Sequence, residues 1–174
     1  KEGDELIVTN LDHEANNGHW RRLEEFGITV REWQVNPETA ELELETLAAM
    51  LSDKTRLVCF SHCSNITGGP NPVAEIAAMV HEVGGLVCVD GVAYAPHGSV
   101  DVKALNVDFY LFSLYKTYGP HLGVMHGKKD LLLEAKGQYF FFHGEDDLPA
   151  KMNPGAPNHE LTAGCVGIGD YFEA

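Results

Sequence analysis

Basic residues are scarce in this 174-residue chain: 12 Lys and Arg stand against 26 Asp and Glu, a formal net charge of −14. A surface so acidic repels phosphate backbones and anionic lipid, which excludes wrapping of nucleic acid or lying on a membrane. Long apolar runs are missing too, and none reaches the roughly 18 residues that a membrane-spanning helix needs. No basic-then-apolar signal segment opens the sequence, and its first residue is Lys1 rather than Met. A cytoplasmic chain that begins inside a longer protein is therefore expected. Cysteine is sparse: Cys59, Cys63, Cys88 and Cys165 lie 4, 25 and 77 residues apart, which fits neither a zinc ribbon nor a compact disulfide framework. Cys59 and Cys88 fall in strand-like apolar runs and are expected as reduced core residues. What is present suffices for a core: 44% of the residues are hydrophobic, which rules out a disordered chain.

Strand and helix patterns alternate along the chain. Apolar runs predict strands at Glu5–Thr9, Ile28–Val35, Arg56–Phe60, Leu86–Val89, Asp108–Phe112 and Gly123–His126. Between them, helices are predicted over His19–Phe26, stopped by Gly27, over Glu43–Ser52, and over Val73–Val83 between Pro72 and Gly84. After about Lys136 the pattern weakens to an aromatic stretch, Tyr139–Phe142, a polar one, Gly144–Lys151, and a helix from Asn158 to Tyr171. Continuous apolar strands separated by helices predict an α/β fold whose sheet is mostly parallel and flanked by helices. No repeat or linker divides the chain, so residues 1–174 are read as one unit.

In such a sheet, ligands sit beyond the carboxyl ends of the strands. The residues that follow the runs are Asp12-His13-Glu14, Ser61 through Asn65, Asp90-Gly91, and Ser113-Leu114-Tyr115-Lys116. Asp90 reads either as a turn residue, since Asp-Gly is a turn dipeptide, or as a carboxylate that accepts from a cationic ring nitrogen. Lys116 reads either as a surface lysine or as an amine that forms a Schiff base from a pocket of aromatic and hydroxyl groups. An Asp and a Lys on successive strand ends are the two fixed points that a pyridoxal 5'-phosphate site requires.

Four stretches extend this pattern: GDELIVTNLDHEAN (3–16), TRLVCFSHCSNITGGPNPVAEI (55–76), VDGVAYAPHGSVDVKALNVDFYLFSLYKTYGPHLGVMHGK (89–128) and NPGAPNHE (153–160). They resemble the class V aminotransferase family of pyridoxal-phosphate enzymes, in its cysteine desulfurase-like branch. The resemblance implies a fold-type-I enzyme acting on an amino acid, of which this chain is the central part of the large domain. Lys116 resembles the Schiff-base lysine and Asp90 the partner of the pyridinium nitrogen. His13 is similar to the imidazole that stacks on the cofactor ring and moves protons, Asn65 to the amide bonded to the ring hydroxyl, and Ser113 to a phosphate ligand. The resemblance also implies a homodimer, because the turn matched by residues 153–160 reaches the neighbouring subunit.

Departures from the family stand beside these matches. Ala93 replaces a Gln common in desulfurases, Tyr115 a His before the lysine, and Ala156 a Thr that reaches the partner's phosphate. The N-terminal phosphate-binding turn and the C-terminal small domain, with its substrate-binding Arg and nucleophilic Cys, have no counterpart here. A non-catalytic or truncated member that keeps the fold as a binding or structural unit is the alternative. No metal site is expected, since His97, His121, His126 and His143 lack ligand spacing.

Overall fold

A computed structural model describes residues 1–138, 141–153, 155 and 157–174. Six strands form one sheet: β1 (Glu5–Thr9), β2 (Thr29–Trp33), β3 (Thr55–Ser61), β4 (Leu86–Asp90), β5 (Phe109–Ser113) and β6 (Gly123–Gly127). Their order is β2-β1-β3-β4-β5-β6. The first five run parallel, and β6 is antiparallel to β5, with Ser113 opposite Gly123. Residues 114–122 alone join β5 to β6, and a parallel crossover needs roughly a dozen residues or more, so the chain turns back.

Alternate residues of the central strands face opposite sides, as the two-residue period of a strand requires. Ile7, Val58, Phe60, Val87 and Val89 pack in one core with Leu47 of α2 (Leu44–Met50) and with Ile76, Ala77 and Val80 of α3 (Val73–Glu82), while Leu6, Val8, Cys59 and Cys88 form a second core with Trp20 of α1 (Gly18–Arg21) and Leu23 packed against it. Burial on both faces explains why these strands read as continuous apolar runs. The apolar residues of α3 recur at helical spacing, Pro72 precedes the helix, and Gly84 follows it with φ +78. Cys59 and Cys88 are register partners on β3 and β4, buried and unbridged.

Several predicted boundaries shift. The helix expected over His19–Phe26 is one short helix, Gly18–Arg21, continued by a 3-10 segment, Arg22–Phe26, and ended by Gly27 in the left-handed conformation. So short a segment lacks the cooperativity of a full helix and takes its shape from packing on the sheet. Asp108 is not in β5; its carboxylate instead accepts from Val87 N, Lys128 Nζ and His81 Nε2. A helix over Lys129–Glu134 was not anticipated, and the C-terminal helix is two: His159–Gly164 and Val166–Glu173. Part of the aromatic stretch, Tyr139 and Phe140, lies outside the described residues, as does Ala156. No helix among the described residues is long and apolar enough to cross a membrane.

Candidate active site

From β1 the chain returns on one side to β2, and from β3 it moves away on the other side to β4. The carboxyl ends of β1 and β3 therefore diverge and leave a crevice, the place where open α/β sheets bind ligands. Beyond it lie the ends of β4 and β5. His13, Asn65, Asp90, Ser113 and Lys116 all line one cleft there, with about 550 Å³ of empty space. The residues singled out in the sequence thus converge, although they come from four separate strand ends.

Each is held by local bonding. His13 caps the 3-10 turn Glu14–Asn16, its Nδ1 accepting from Ala15 N at 3.1 Å; in the neutral ring the proton then sits on Nε2. Asn65 rides on a loop closed at its base, where Asn71 Nδ2 donates to Ser61 O at 2.7 Å and Asn71 N to His62 O at 2.7 Å. The buried Ser64 hydroxyl donates to Leu11 O at 3.3 Å and so ties this loop to the one that holds His13. Asp90 ends β4, and its Oδ1 accepts from Val92 N at 2.9 Å. It therefore does cap a turn, but only one of its carboxylate oxygens is so engaged among the described residues. Gly91 is required next to it, because a Cβ there would run into the Tyr110 ring.

Lys116 ends the 3-10 turn Leu114–Lys116 that follows β5. This turn is tight: Thr117 N, Gly119 N and the Thr117 hydroxyl all donate to Leu114 O, while Leu114 N donates to Leu122 O. Two residues on, Tyr118 has φ +63, a strained value for a residue with a side chain, and its ring packs on Tyr171 and Phe172. Lys116 Nζ lies 5.9 Å from the centroid of the Tyr115 ring, makes no hydrogen bond or ion pair among the described residues, and is exposed. Tyr115 in turn stacks on His121 at 4.9 Å. Ala93 lines the cleft and brings no donor to it.

Next to the cleft-lining Ser61 and Cys63 in the chain, His62 belongs to a buried aromatic group that does not itself line the cleft. His62 stacks on Tyr94 at 3.6 Å, and its Nδ1 lies 2.8 Å from the Tyr110 hydroxyl. Burial lowers the His62 pKa to about 4 and pushes the Tyr110 phenol up, so at neutral pH the ring is neutral and the phenol can donate to it. Sequence reasoning missed Ser61 and Cys63, which also line the cleft, and Asp12, buried beside it. Their signal was available: all three lie within three residues of a predicted strand end.

The aminotransferase class-V family matches residues 1–173. This chain belongs to that family. The aminotransferase-like protein FGM3 of Gibberella zeae is 42% identical over 173 residues, 98% of this chain and 43% of the relative. Among solved structures, the cysteine desulfurase CsdA of Escherichia coli is 31% identical with a TM-score of 0.83, over 97% of this chain and 44% of that one. A C-DES mutant with glycine covalently linked to its PLP cofactor is 33% identical with a TM-score of 0.70, over 79% of this chain and 38% of that one. These likenesses bear out the fold class and the cysteine desulfurase-like resemblance. The chain spans less than half the length of the relatives it matches.

Proposed function

We propose that residues 1–174 are the central part of the large domain of a pyridoxal-phosphate-dependent enzyme acting on an amino acid, with cysteine desulfurase-like or class V aminotransferase chemistry. The observation that carries this reading is the one cleft into which separate strand ends bring an amine without a partner among the described residues, Lys116, and a carboxylate with one backbone donor, Asp90. The donor set fits the group. A flat ring with a cationic nitrogen needs a carboxylate at one end and an amine at the other, and the buried Ser61 hydroxyl on the cleft wall has no partner among the described residues.

Bound there, pyridoxal phosphate supplies an electron sink for the bond broken at the substrate α-carbon. Lys116 Nζ would hold its aldehyde carbon, and the Asp90 carboxylate would keep the ring nitrogen protonated. His13 would cover the ring and move a proton through Nε2, its Nδ1 being held by Ala15 N. Asn65 would donate to the ring hydroxyl and Ser113 to the phosphate. Ala93 and Tyr115 change the wall of the cleft and leave Lys116 and Asp90 in place.

The complete protein is proposed as a homodimer in the cytoplasm. The likeness of residues 153–160 to a turn that reaches a neighbouring subunit supports the dimer. Cys59 and Cys88, paired across β3 and β4 yet unbridged, support a reducing compartment.

Borohydride reduction of the complete protein, followed by peptide mapping, tests the assignment: a pyridoxyl group is expected on Lys116, and one on any other lysine overturns it. Asp90→Asn is expected to keep the fold and lower turnover by about 10²-fold or more, because an amide cannot hold the ring proton. Unchanged turnover removes Asp90 from the site.

A further inference from the structure

Two polar groups beside the cleft have no role in the chemistry above. Asp12 follows β1 and is 9% exposed; its Oδ2 accepts from the Thr9 hydroxyl at 2.8 Å, and its Oδ1 is buried without a partner. Ser61 ends β3 and is 4% exposed; its Oγ is also buried without a partner, and the residue lines the cleft. Ser61 is the register partner of Asp90 across β3 and β4. Buried polar atoms in folded proteins are nearly always paired, so two orphans at one point of a sheet mark a place where a proton or a ligand completes the bonding.

We propose that Asp12 is a positioning residue of this site: its carboxyl, buried past the end of β1 next to the strand ends that carry Ser61 and Asp90, adds a second ionisable charge behind Asp90 and so sets how firmly Asp90 holds a cationic ring nitrogen. This rests on the cofactor reading given above. With Asp12 protonated, the layer carries one negative charge, on Asp90. With Asp12 ionised it carries two, and a cation bound to Asp90 is held by both.

The surroundings favour a proton that comes and goes near neutrality. Burial pushes the Asp12 pKa up to about 6, the Thr9 and Ser61 hydroxyls pull against it, and the charge of Asp90 adds to the rise. The groups that face Asp12 are therefore Thr9 on its own side, Ser61 and the Cys59 thiol from β3, and Asp90 from β4; His13 and Glu14 follow it in the chain. Cys59 stays a neutral thiol, because burial raises its pKa well above the ordinary value. Coupling is reciprocal: if the Asp90 charge raises Asp12, a cation neutralising Asp90 must lower it, and the Asp12 proton passes to solvent as the cofactor binds.

Infrared difference spectra of the complete apoprotein test this against Asp12→Asn. The wild type is expected to show the carbonyl stretch of a protonated carboxyl that disappears with a midpoint near pH 6, and Asp12→Asn is expected to lack it. Ser61→Ala should move the midpoint up, since it removes a hydroxyl that favours the ionised form. Loading with pyridoxal phosphate should move the wild-type midpoint down. A fall of one pH unit corresponds by linkage to about a tenfold gain in cofactor affinity as Asp12 ionises, a gain that Asp12→Asn lacks. The phosphate of the cofactor titrates in both proteins alike and cancels in the comparison. Should Asp12→Asn fail to fold, the Ser61→Ala midpoint and the loading shift decide alone. A band that survives Asp12→Asn, a midpoint that Ser61→Ala leaves in place, or one that loading leaves in place overturns the role of Asp12. If the wild type takes up no cofactor at all, the functional reading falls first and the role of Asp12 falls with it.

Discussion

Asp12 and Asp108 are both buried carboxyls, and their surroundings drive them in opposite directions. Burial pushes each up. Around Asp12 it wins. Around Asp108 the Lys128 ammonium, the His81 ring and the Val87 amide outweigh it and hold the carboxyl below its usual range. Linkage gives the two opposite pH signatures. The folded state binds the Asp12 proton more tightly than the unfolded state does, so stability falls as pH rises from about 4 to above 6, by about 3 kcal/mol. Asp12→Asn is expected to remove that fall, giving a Tm that changes less between pH 5 and pH 8 than the wild type's; an equal change in both proteins contradicts it. Asp108 stabilises the fold above the ordinary carboxylate pKa, and its contribution is lost as pH falls through its lowered value. Asp108→Asn should cost about 2 kcal/mol at pH 7, less than a fully buried pair would, because Lys128 is partly exposed. Neither behaviour was legible in the sequence. Asp108 reads as the first residue of a strand and Asp12 as a loop residue before His13, and only the folded neighbours distinguish a paired carboxyl from an orphaned one.

At the scale of elements, what was legible is what depends on period and punctuation. The apolar runs of β1, β3 and β4 and the α3 stripe between Pro72 and Gly84 were readable because burial on both faces, or on one helical face, leaves a local pattern. The convergence of His13, Asn65, Asp90, Ser113 and Lys116 was readable because a parallel sheet sends all its carboxyl ends to one edge. The direction of β6 could have been inferred from the nine-residue connection but was not separated from the parallel set. The stretch after β6 was illegible because its organiser is a single side chain. Lys151 is 2% exposed and donates to Leu133 O at 3.0 Å, Ala135 O at 2.8 Å and Glu145 O at 2.5 Å. A lysine in a polar segment normally signals solvent; here its ammonium gathers carbonyls from a helix end and a loop that carry no shared periodicity. Lys151→Met keeps the stem and removes the donors. It is expected to cost on the order of 2 kcal/mol and to raise amide exchange across residues 133–151 while the β1–β4 amides stay protected. Unchanged exchange in that segment would show that other contacts hold it.

The molecule as a whole has an uneven surface. The central strands and α3 bury their large apolar residues, but Phe141, Ile66, Phe26, Val166, Tyr118, Phe172 and Tyr171 are exposed in a chain with net charge −14. Tyr118, Tyr171 and Phe172 pack on one another, and such an exposed aromatic cluster marks a surface meant for contact. The site has the same one-sidedness. It presents an amine and a carboxylate for a ring, yet Ser113 is the one residue assigned to the phosphate, a group that carries close to two negative charges and needs several backbone or hydroxyl donors. Lys116, exposed in this chain, gains a desolvated setting only when something closes over it. These observations lead to one expectation for the 174-residue chain on its own: it binds pyridoxal phosphate weakly and carries a sticky C-terminal face. In the complete protein both deficits are expected to be met, the phosphate by further donors and the aromatic face by contact. Gel filtration after incubation with the cofactor distinguishes the two. The isolated chain should lose its yellow colour on the column, while the complete protein should elute as a coloured dimer by light scattering. A stoichiometric coloured complex of the isolated chain would mean that Ser113 and the groups already in the cleft hold the phosphate unaided. A complete protein that binds the cofactor tightly as a monomer would remove the partner subunit from the site.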